Sequence, residues 1–269
     1  MNSSFETFFK KINISIIGGT GGMGRLFVNS LKDITNVMIC SRDLNKAAAV
    51  AKKIGENIKS GILEDCRNSD IVVVSVPLEN VLKTISKAVK IMKEGSLLMD
   101  LSSVKSGFIN KLEIPDSIEY ISAHFLFGPQ GNFSDENIIL IPVKGEQWLA
   151  KIKYLFEKLG GNVFIISKNE HDIKMSKIQS LFHFTIICMV IAMTKSNIEP
   201  NFYTRSFKMI IPNLKNLKNN LKVILEIQKN NPFSQKERKY FAKLVHEISN
   251  LDHVEFEKLV IKSFENLII

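Results

Sequence analysis

The chain has 269 residues, of which 45% are hydrophobic and 23% are charged, and its formal net charge is +9. This length fits one large or two modest domains, and the composition excludes a disordered or fibrous protein in favour of a soluble globular one. The lysines are scattered singly rather than clustered with aromatic residues, so they indicate solvated helix faces and no nucleic-acid partner.

The first predicted element is a strand over residues 12–17 that runs directly into a glycine-rich turn. Gly19, Gly21 and Gly24 fill a G-x-G-x-x-G frame, with a helical segment and a second strand following. Glycines there permit a tight turn, close approach of the backbone to a pyrophosphate and close packing of the helix. The segment predicts a dinucleotide site at a helix start; the alternative is a glycine-rich loop without a ligand. The expected cofactor contacts are Gly19, Thr20, Gly21, Gly22, Met23 and Gly24.

The second predicted strand, residues 37–40, ends without the acidic residue that usually holds the ribose hydroxyls of NAD. Ser41 and Arg42 follow instead. A serine hydroxyl donates a hydrogen bond and an arginine forks onto a phosphate, so this pattern favours NADP over NAD. The alternative is that Arg42 is an ordinary solvated surface charge and that Asp43 binds the ribose hydroxyls.

Strands and helices alternate as far as residue 167. The further predicted strands are 71–76, 96–101, 120–123, 138–142 and 163–166, with amphipathic helices over 45–54, 81–92 and 146–159. Continuous apolar strands such as Ile-Val-Val-Val-Ser-Val belong in a parallel sheet that is covered on both faces. Residues 1–167 are therefore predicted to form a doubly wound α/β domain of the Rossmann type, with Val76 and Pro77 at the cofactor.

Beyond residue 167 the strand signals stop. Helices are predicted over 170–193, 214–229, 235–248 and 255–266, with breaks near Pro200, Pro212 and Pro232. Residues 168–269 are therefore predicted to form a smaller all-helical domain that completes a substrate site. One small domain does not readily cover its own apolar stripes, which predicts a homodimer through this domain. The stripe used for this prediction comprises Leu221, Ile224, Leu225 and Gln228.

The longest apolar run, residues 178–193, is interrupted by Gln179, His183 and Thr185. It predicts a buried helix rather than a membrane span. The first residues lack the apolar core of a signal peptide. The cysteines are odd in number, widely spaced and without a metal-ligand pattern, which indicates reduced thiols in a cytoplasmic protein and no metal site. They are Cys40, Cys66 and Cys188.

Three segments carry polar residues that are unusual in a hydrophobic core. Residues 100–105 (Asp-Leu-Ser-Ser-Val-Lys) and 122–129 (Ser-Ala-His-Phe-Leu-Phe-Gly-Pro) each follow a predicted strand, and residues 170–184 open the helical domain. Ligands bind at the carboxyl ends of parallel strands in such sheets. On a helix, the spacing of His171, Gln179 and His183 places all three roughly along one face.

Together these motifs resemble the prephenate dehydrogenase family, especially its archaeal type. The resemblance runs through GGTGGMG, SR, SVP, DLSSVKS, HFLFGP and the EHD, M, IQ, L and HF positions of residues 170–184. It covers nearly the whole α/β domain and the first helix beyond it. It implies oxidative decarboxylation of prephenate by NAD(P)+ to 4-hydroxyphenylpyruvate, carbon dioxide and NAD(P)H, in tyrosine biosynthesis. The related arogenate dehydrogenases use the aminated substrate.

The resemblance also implies roles for individual residues. His124 matches the catalytic histidine, which accepts the hydrogen bond from the ring hydroxyl during hydride transfer, and Ser103 matches the serine that orients it. The residues expected at the substrate are Lys105, His171, Gln179 and His183. The alternatives are a surface histidine at His124, a helix-start residue without ligand contact at His171 and a core histidine at His183.

The chain departs from the family pattern at two places. The family has His-Pro-Met-Phe-Gly-Pro where this chain has Phe125 after His124, which predicts a looser backbone there. The family also carries an arginine, in a Gly-Arg or Thr-Arg pair, that forks onto a substrate carboxylate. Arg205 falls earlier than that spacing requires. For an active dehydrogenase we expect Arg205 to face the cleft near His183.

Two further hypotheses stay open. Deazaflavin-dependent NADP reductases also combine a GGTG turn with Ser-Arg after the second strand, although they do not explain HFLFGP. A dehydrogenase-like binding or regulatory protein would keep the cofactor fold and lose turnover, and the displaced arginine favours it.

Overall fold

The computed structural model describes residues 2–196 and 198–267. The chain divides into two compact units, Met1–Asp172 and Ile173–Ile269. The boundary predicted after residue 167 coincides with the start of the helix Lys168–Met175, and the compact units divide inside that helix.

The first unit is built on an eight-stranded sheet whose order is β3-β2-β1-β4-β5-β6-β7-β8. Neighbouring strands are parallel except that β7 runs antiparallel to β6, and β8 is parallel to β7. The strand order reverses between β1 and β4, which is the topological switch point where such sheets bind ligands. The strands are β1 Asn13–Ile17, β2 Asn36–Cys40, β3 Lys59–Gly61, β4 Ile71–Val74, β5 Leu97–Asp100, β6 Glu119–Phe125, β7 Asn137–Lys144 and β8 Asn162–Ile165.

Helices cover both faces of this sheet. Along β4, Ile71 and Val73 pack in one apolar cluster while Val72 and Val74 pack in another. Both sides of a strand are buried in this way only when the sheet is sandwiched between layers, as the unbroken apolar sequence predicted. The helices are α1 Asn2–Lys10, α2 Gly22–Leu31, α3 Leu44–Ile54, α4 Leu78–Ala88, α5 Ser106–Ile109, α6 Leu149–Lys158 and α7 Lys168–Met175, with a 3-10 turn over Leu63–Asn68.

The register of the sheet aligns the carboxyl ends of β2, β1, β4 and β5 with Ser122 inside β6. The aligned residues are Cys40, Ile17, Val74, Asp100 and Ser122, each paired with the next. Because β6 extends beyond this row, His124 lies past the carboxyl end of the neighbouring strand β5. The glycine turn, the Ser41 segment and His124 therefore belong to the same edge of the sheet.

The doubly wound architecture is confirmed, and several of its shorter elements were not predicted. Strand β3 consists of Lys-Ser-Gly at the edge of the sheet, too short and polar for a periodic signal. Helix α1 was also missed. The thiols of Cys40 and Cys66, far apart in sequence, lie 3.5 Å apart as free buried cysteines, so the description of all three cysteines as widely spaced holds only along the chain.

The second unit is all-helical, as predicted. After α7 the chain passes through a π-helical turn, Ser176–Leu181, and a 3-10 turn, Pro200–Phe202, also lies in this unit. The break predicted at Pro212 is wrong: α9 starts after Thr204, whose Oγ1 accepts from Phe207 N at 3.2 Å, and continues through the proline. A proline removes one helical hydrogen bond and can be accommodated inside a helix. The helices are α8 Phe182–Ser196, α9 Arg205–Asn219, α10 Leu221–Asn230, α11 Ser234–Ser249 and α12 His253–Glu265.

The prediction of a buried helix over residues 178–193 is wrong. No residue of α8 is buried, and half of the Ile191 side chain is exposed. The helical stretch Lys168–Ser196 is long and apolar enough to cross a membrane, but one such helix is weak evidence for a membrane protein. An apolar pattern predicts that a face will be covered without saying what covers it.

Candidate active site

The glycine turn between β1 and α2 is shaped by close backbone contacts. Gly18 has a φ of +84°, and a Cβ there would lie 2.3 Å from the Ser75 carbonyl oxygen. A Cβ on Gly24 would lie 2.5 Å from the Gly18 carbonyl oxygen. Only glycine fits both positions. The predicted frame began at Gly19, so it missed Gly18, whose left-handed conformation makes the turn.

A cavity of about 560 Å³ opens beside this turn at the switch point of the sheet. Thr20 and Gly21 line it from the turn, and Val76 and Pro77 line it from the segment after β4. Gly19, Gly22, Met23 and Gly24 do not line the cavity; they form the turn and the start of α2. The close-packed glycines leave the turn backbone bare at a helix start, which fits a dinucleotide phosphate.

A second cavity of about 450 Å³ is lined by Thr20 of the glycine turn and by four polar residues after β2: Ser41, Arg42, Asp43 and Lys46. Asp43 Oδ1 accepts from Lys46 N at 2.9 Å and thereby caps α3. Its carboxylate therefore has a structural use that does not require a ribose. Lys46 adds a second cation beside Arg42. It was not predicted, although its place one helical turn after Arg42 is a signal that could have identified it.

His124 is the best-placed acid–base group of the first unit. Its side chain is 3% exposed on β6. Its Nδ1 lies 2.8 Å from His171 Nε2, and His171 Nδ1 lies 2.8 Å from Asp172 Oδ1. Nε2 of His124 has no hydrogen-bond partner among residues 2–196 and 198–267. His171 therefore contacts the predicted catalytic histidine, and no role had been predicted for Asp172.

Burial sets the protonation state of both histidines. It lowers the pKa of His124 well below the usual value, and the charges of His171 and Lys105 lower it further. Burial also lowers the pKa of His171, against the opposing effect of its hydrogen bond to Asp172. Both imidazoles are consequently neutral at pH 7, and a neutral imidazole has one nitrogen free to accept a proton.

Lys105 is fully buried, and its backbone nitrogen lies 3.2 Å from Asp172 Oδ1. Its Nζ donates to the Ala123 carbonyl oxygen at 2.7 Å and lies 3.4 Å from Asp100 Oδ1. Tyr120 OH donates to the other oxygen of Asp100 at 2.7 Å. The amine expected at the substrate is thus engaged with the backbone of β6 next to His124. A buried carboxylate and amine that share hydrogen bonds fix the geometry around them.

Ser103 lies half-buried in the loop between β5 and α5. Its hydroxyl makes no hydrogen bond with His124 or any other residue of the described ranges. The orienting contact expected from Ser103 is therefore not formed here, and His171 makes the contact with Nδ1 instead.

Phe125, which stands where the family has proline, is tightly packed. It is 4% exposed and stacks on Phe127 with 5.6 Å between ring centroids. Phe27 and Phe156 meet it edge-on. The main chain at Phe125 also pairs with Ile138 of β7. The looser backbone expected after His124 is not found, because aromatic packing replaces the rigidity of the proline ring.

The remaining predicted substrate residues belong to the second unit. Gln179 Oε1, in the π-helical turn, and His183 Nδ1, in α8, are buried without a hydrogen-bond partner within the described part of the chain. Burial lowers the pKa of His183. Unpaired buried polar atoms are costly and often mark ligand sites. Arg205 is exposed at the start of α9, and no contact joins it to His183.

The chain is similar in sequence to known proteins of one family. Residues 28–165 match the family model "Prephenate dehydrogenase, nucleotide-binding domain". A probable arogenate/prephenate dehydrogenase of Methanocaldococcus jannaschii is 31% identical over 70% of this chain and 44% of its own length. A probable prephenate dehydrogenase [NADP(+)] of Schizosaccharomyces pombe is 25% identical over 72% of this chain and 46% of its own. The chain therefore spans less than half the length of these two relatives.

Among solved structures, a similar one is a prephenate dehydrogenase of Aquifex aeolicus in complex with hydroxyphenyl propionate and NAD+. It has a TM-score of 0.74 and 20% identity, and it covers 94% of this chain and 95% of the other. At this identity the likeness establishes the fold of the chain.

Proposed function

Because the chain belongs to the prephenate dehydrogenase family, we propose that it oxidatively decarboxylates prephenate to 4-hydroxyphenylpyruvate with NAD(P)+, in the cytoplasmic synthesis of tyrosine. The observation that carries this proposal is a neutral histidine, His124, at the same sheet edge as the glycine turn, with Nε2 free of protein partners. Arogenate is the alternative substrate.

The residues of the chain have distinct parts in this reaction. The cofactor, when bound, supplies the hydride acceptor. His124 accepts the proton of the ring hydroxyl on Nε2, which is possible near pH 7 because the imidazole is neutral. Lys105 holds the backbone of β6 at Ala123 and so fixes the position of His124. Ser103 is proposed to bind the substrate through its unpaired hydroxyl. Within the second unit, Gln179 and His183 are proposed ligand-binding residues, because each has a buried polar atom without a partner in the described part of the chain.

The assay that tests this function follows NADP+ and NAD+ reduction with prephenate and with arogenate, each together with carbon dioxide release. Reduction that is matched mole for mole by carbon dioxide supports the proposal, and the preferred substrate follows from the ratio of kcat/KM values. Binding of the cofactor without turnover of either substrate would contradict it.

A dehydrogenase-like binding protein is the second candidate function. One observation favours it: the side chain of Arg205, the expected carboxylate anchor, is exposed and makes no hydrogen bond, ion pair or ring contact with another described residue. A substrate with two carboxylates needs two cationic or donor sites. The assay separates the two candidates, because a binding protein takes up the dinucleotide and releases no carbon dioxide.

We propose that NADP is the preferred cofactor. Ser41, Arg42 and Lys46 line one cavity, and together they offer a hydroxyl and two cations to a ribose 2′-phosphate. Asp43, the residue that would favour NAD, is used as the cap of α3. The Schizosaccharomyces pombe relative is named for NADP+.

Replacing Arg42 by alanine is expected to weaken NADP binding by about 1–3 kcal/mol, the scale of a charge-assisted hydrogen bond. NAD binding should stay unchanged, because NAD has no 2′-phosphate. Titration calorimetry with both cofactors measures the two effects. Arg67→Ala, an exposed arginine that lines neither cavity, is the matched control. Equal affinities of the native protein for NADP and NAD would remove the basis of the claim.

We also propose a homodimer formed through the helical unit. No residue of α8, α9 or α12 is buried, and Phe264 on α12 is 72% exposed. Of the stripe used for the prediction, Ile224 and Gln228 are buried within the unit, whereas Leu221 and Leu225 are exposed. Exposed apolar surface on several helices is typical of an interface.

Light scattering on the purified protein at micromolar concentration is expected to give twice the chain mass of 30.5 kDa. Phe264→Asp should shift the mass towards the monomer, because a charge in an apolar interface is costly to bury. Lys258→Asp changes an exposed polar residue of the same helix and serves as the control. A native protein that is monomeric at this concentration would count against the proposal.

A further inference from the structure

Three buried side chains, Asp172, His171 and His124, are joined in series by hydrogen bonds. Asp172 and His171 are neighbours on α7 and are both fully buried, while His124 comes from β6. The two hydrogen bonds that join them are 2.8 Å long. Each of these hydrogen bonds joins two buried groups directly, so the protonation state of Asp172 decides which nitrogen carries each proton.

The carboxylate at one end determines where these protons lie. Asp172 Oδ2 accepts from Ser106 N at 2.8 Å, and Oδ1 is 3.2 Å from Lys105 N. Burial raises the pKa of Asp172, but the hydrogen bonds from His171 and Ser106 outweigh burial and hold that pKa below its usual value. Asp172 is therefore ionised at pH 7, and an ionised carboxylate can only accept hydrogen bonds.

The tautomers follow in order from this acceptor. His171 Nδ1 must carry a hydrogen to donate to Asp172, so Nε2 of the neutral His171 has the lone pair. His124 Nδ1 must then carry a hydrogen to donate to His171 Nε2. In the neutral His124 this leaves the lone pair on Nε2. Such an assignment comes from the hydrogen-bond network and determines which nitrogen can act as a base.

We propose that Asp172 and His171 are positioning residues that hold His124 in the tautomer whose Nε2 is unprotonated, so that this atom can accept the substrate proton. The inference deepens the proposed function and rests on it for the identity of the substrate alone. When Nε2 takes the hydroxyl proton, His124 becomes an imidazolium, and the negative charge of Asp172 favours that cation through the shared hydrogen bonds.

Other charged groups lie near these three side chains and also affect the pH at which the two histidines become protonated. Lys105, from the loop before α5, disfavours protonation of both histidines, and Asp100 at the end of β5 favours protonation of His171. Tyr120 on β6 stays neutral, because burial raises its pKa well above the usual value. These groups are identical in a variant that changes Asp172 alone, so a difference between variant and native protein reports on Asp172.

The direct test is the tautomer itself, measured in the full-length protein by the ring ¹⁵N shifts of histidine above neutral pH. The native protein is expected to show His124 and His171 with the hydrogen on Nδ1. In Asp172→Asn the side-chain oxygen stays with Ser106 N and the amide donates to His171, so both histidines should switch to the form with the hydrogen on Nε2. The ¹⁵N measurement needs no substrate, so its result is independent of the proposed reaction.

The kinetic test follows from the same variant. Asp172→Asn is expected to lower kcat at least tenfold while KM stays within about twofold, because only the base is affected. Asp172→Glu, which keeps the charge, should recover part of kcat. Glu170→Gln removes an exposed acid from the same helix and should leave kcat unchanged.

Two results would overturn the inference. One is a native protein with the hydrogen of His124 on Nε2, a measurement that does not depend on whether any variant folds. The other is a folded Asp172→Asn protein whose histidine tautomers match the native ones. A native tautomer as expected, combined with no turnover of prephenate or arogenate, would reject the proposed function and leave the inference intact.

Discussion

Replacing His124 by asparagine is expected to lower kcat for prephenate by about 10²–10⁴-fold, the usual contribution of a positioned acid–base group. The asparagine amide has similar size and can still contact His171, but it has no nitrogen that takes a proton near pH 7. Cofactor binding should be preserved, because His124 lines neither of the two cavities beside the glycine turn. Steady-state kinetics and cofactor titration measure both effects.

The control for this variant is His246→Asn, which alters an exposed histidine on α11. It should match the native enzyme in kcat and KM. If His124→Asn instead turned over prephenate at the native rate, the proton would have another acceptor and the role proposed for His124 would be wrong.

Replacing Gly24 by alanine is expected to weaken binding of either dinucleotide by about 10²-fold, or about 2.7 kcal/mol, at the upper part of the range for overpacking. The new Cβ would lie 2.5 Å from the Gly18 carbonyl oxygen and 2.7 Å from Gly19 Cα. Both are backbone atoms, so the turn itself has to shift. The shift displaces the backbone that we expect to hold the pyrophosphate.

The control for the glycine variant is Gly55→Ala at the end of α3. A Cβ there would meet the side-chain oxygen of Asn57 at 2.9 Å, which can move aside. Fluorescence titration with NADPH distinguishes the two variants. Native affinity in Gly24→Ala would show that the turn adapts to the methyl group and that its glycines are not needed for close approach.

The fold and part of the candidate site could be predicted from sequence because they depend on local signals. Unbroken apolar runs such as residues 71–74 specify strands of a covered sheet, and a glycine-rich turn after such a strand specifies its ligand edge. His124 stood out because it follows the predicted strand 120–123 and matches the catalytic histidine of the family. Strand β3 gave no signal, since its three residues owe their conformation to pairing with β2.

The contacts between distant residues could not be predicted in the same way. Asp172 is an ordinary acid in a helical sequence, and its role depends on the approach of α7 to His124 and Ser106. Lys105 was expected at the substrate from the family resemblance, but its amine is buried against Asp100 and Ala123. Burial of α8 was predicted from composition, which does not distinguish a face covered by the same chain from one covered by another.

The homodimer proposed through the helical unit would link the stability of that unit to the amount of protein present. A second copy that covers its apolar surface stabilises the folded state only while it is bound. By mass action, each tenfold rise in concentration above the dissociation constant adds about 1.4 kcal/mol to the free energy of unfolding of the dimer. The first unit has its own core on both faces of its sheet, so we expect its stability to depend less on a second copy. Dilution would therefore loosen the helices first and leave the dinucleotide-binding sheet folded.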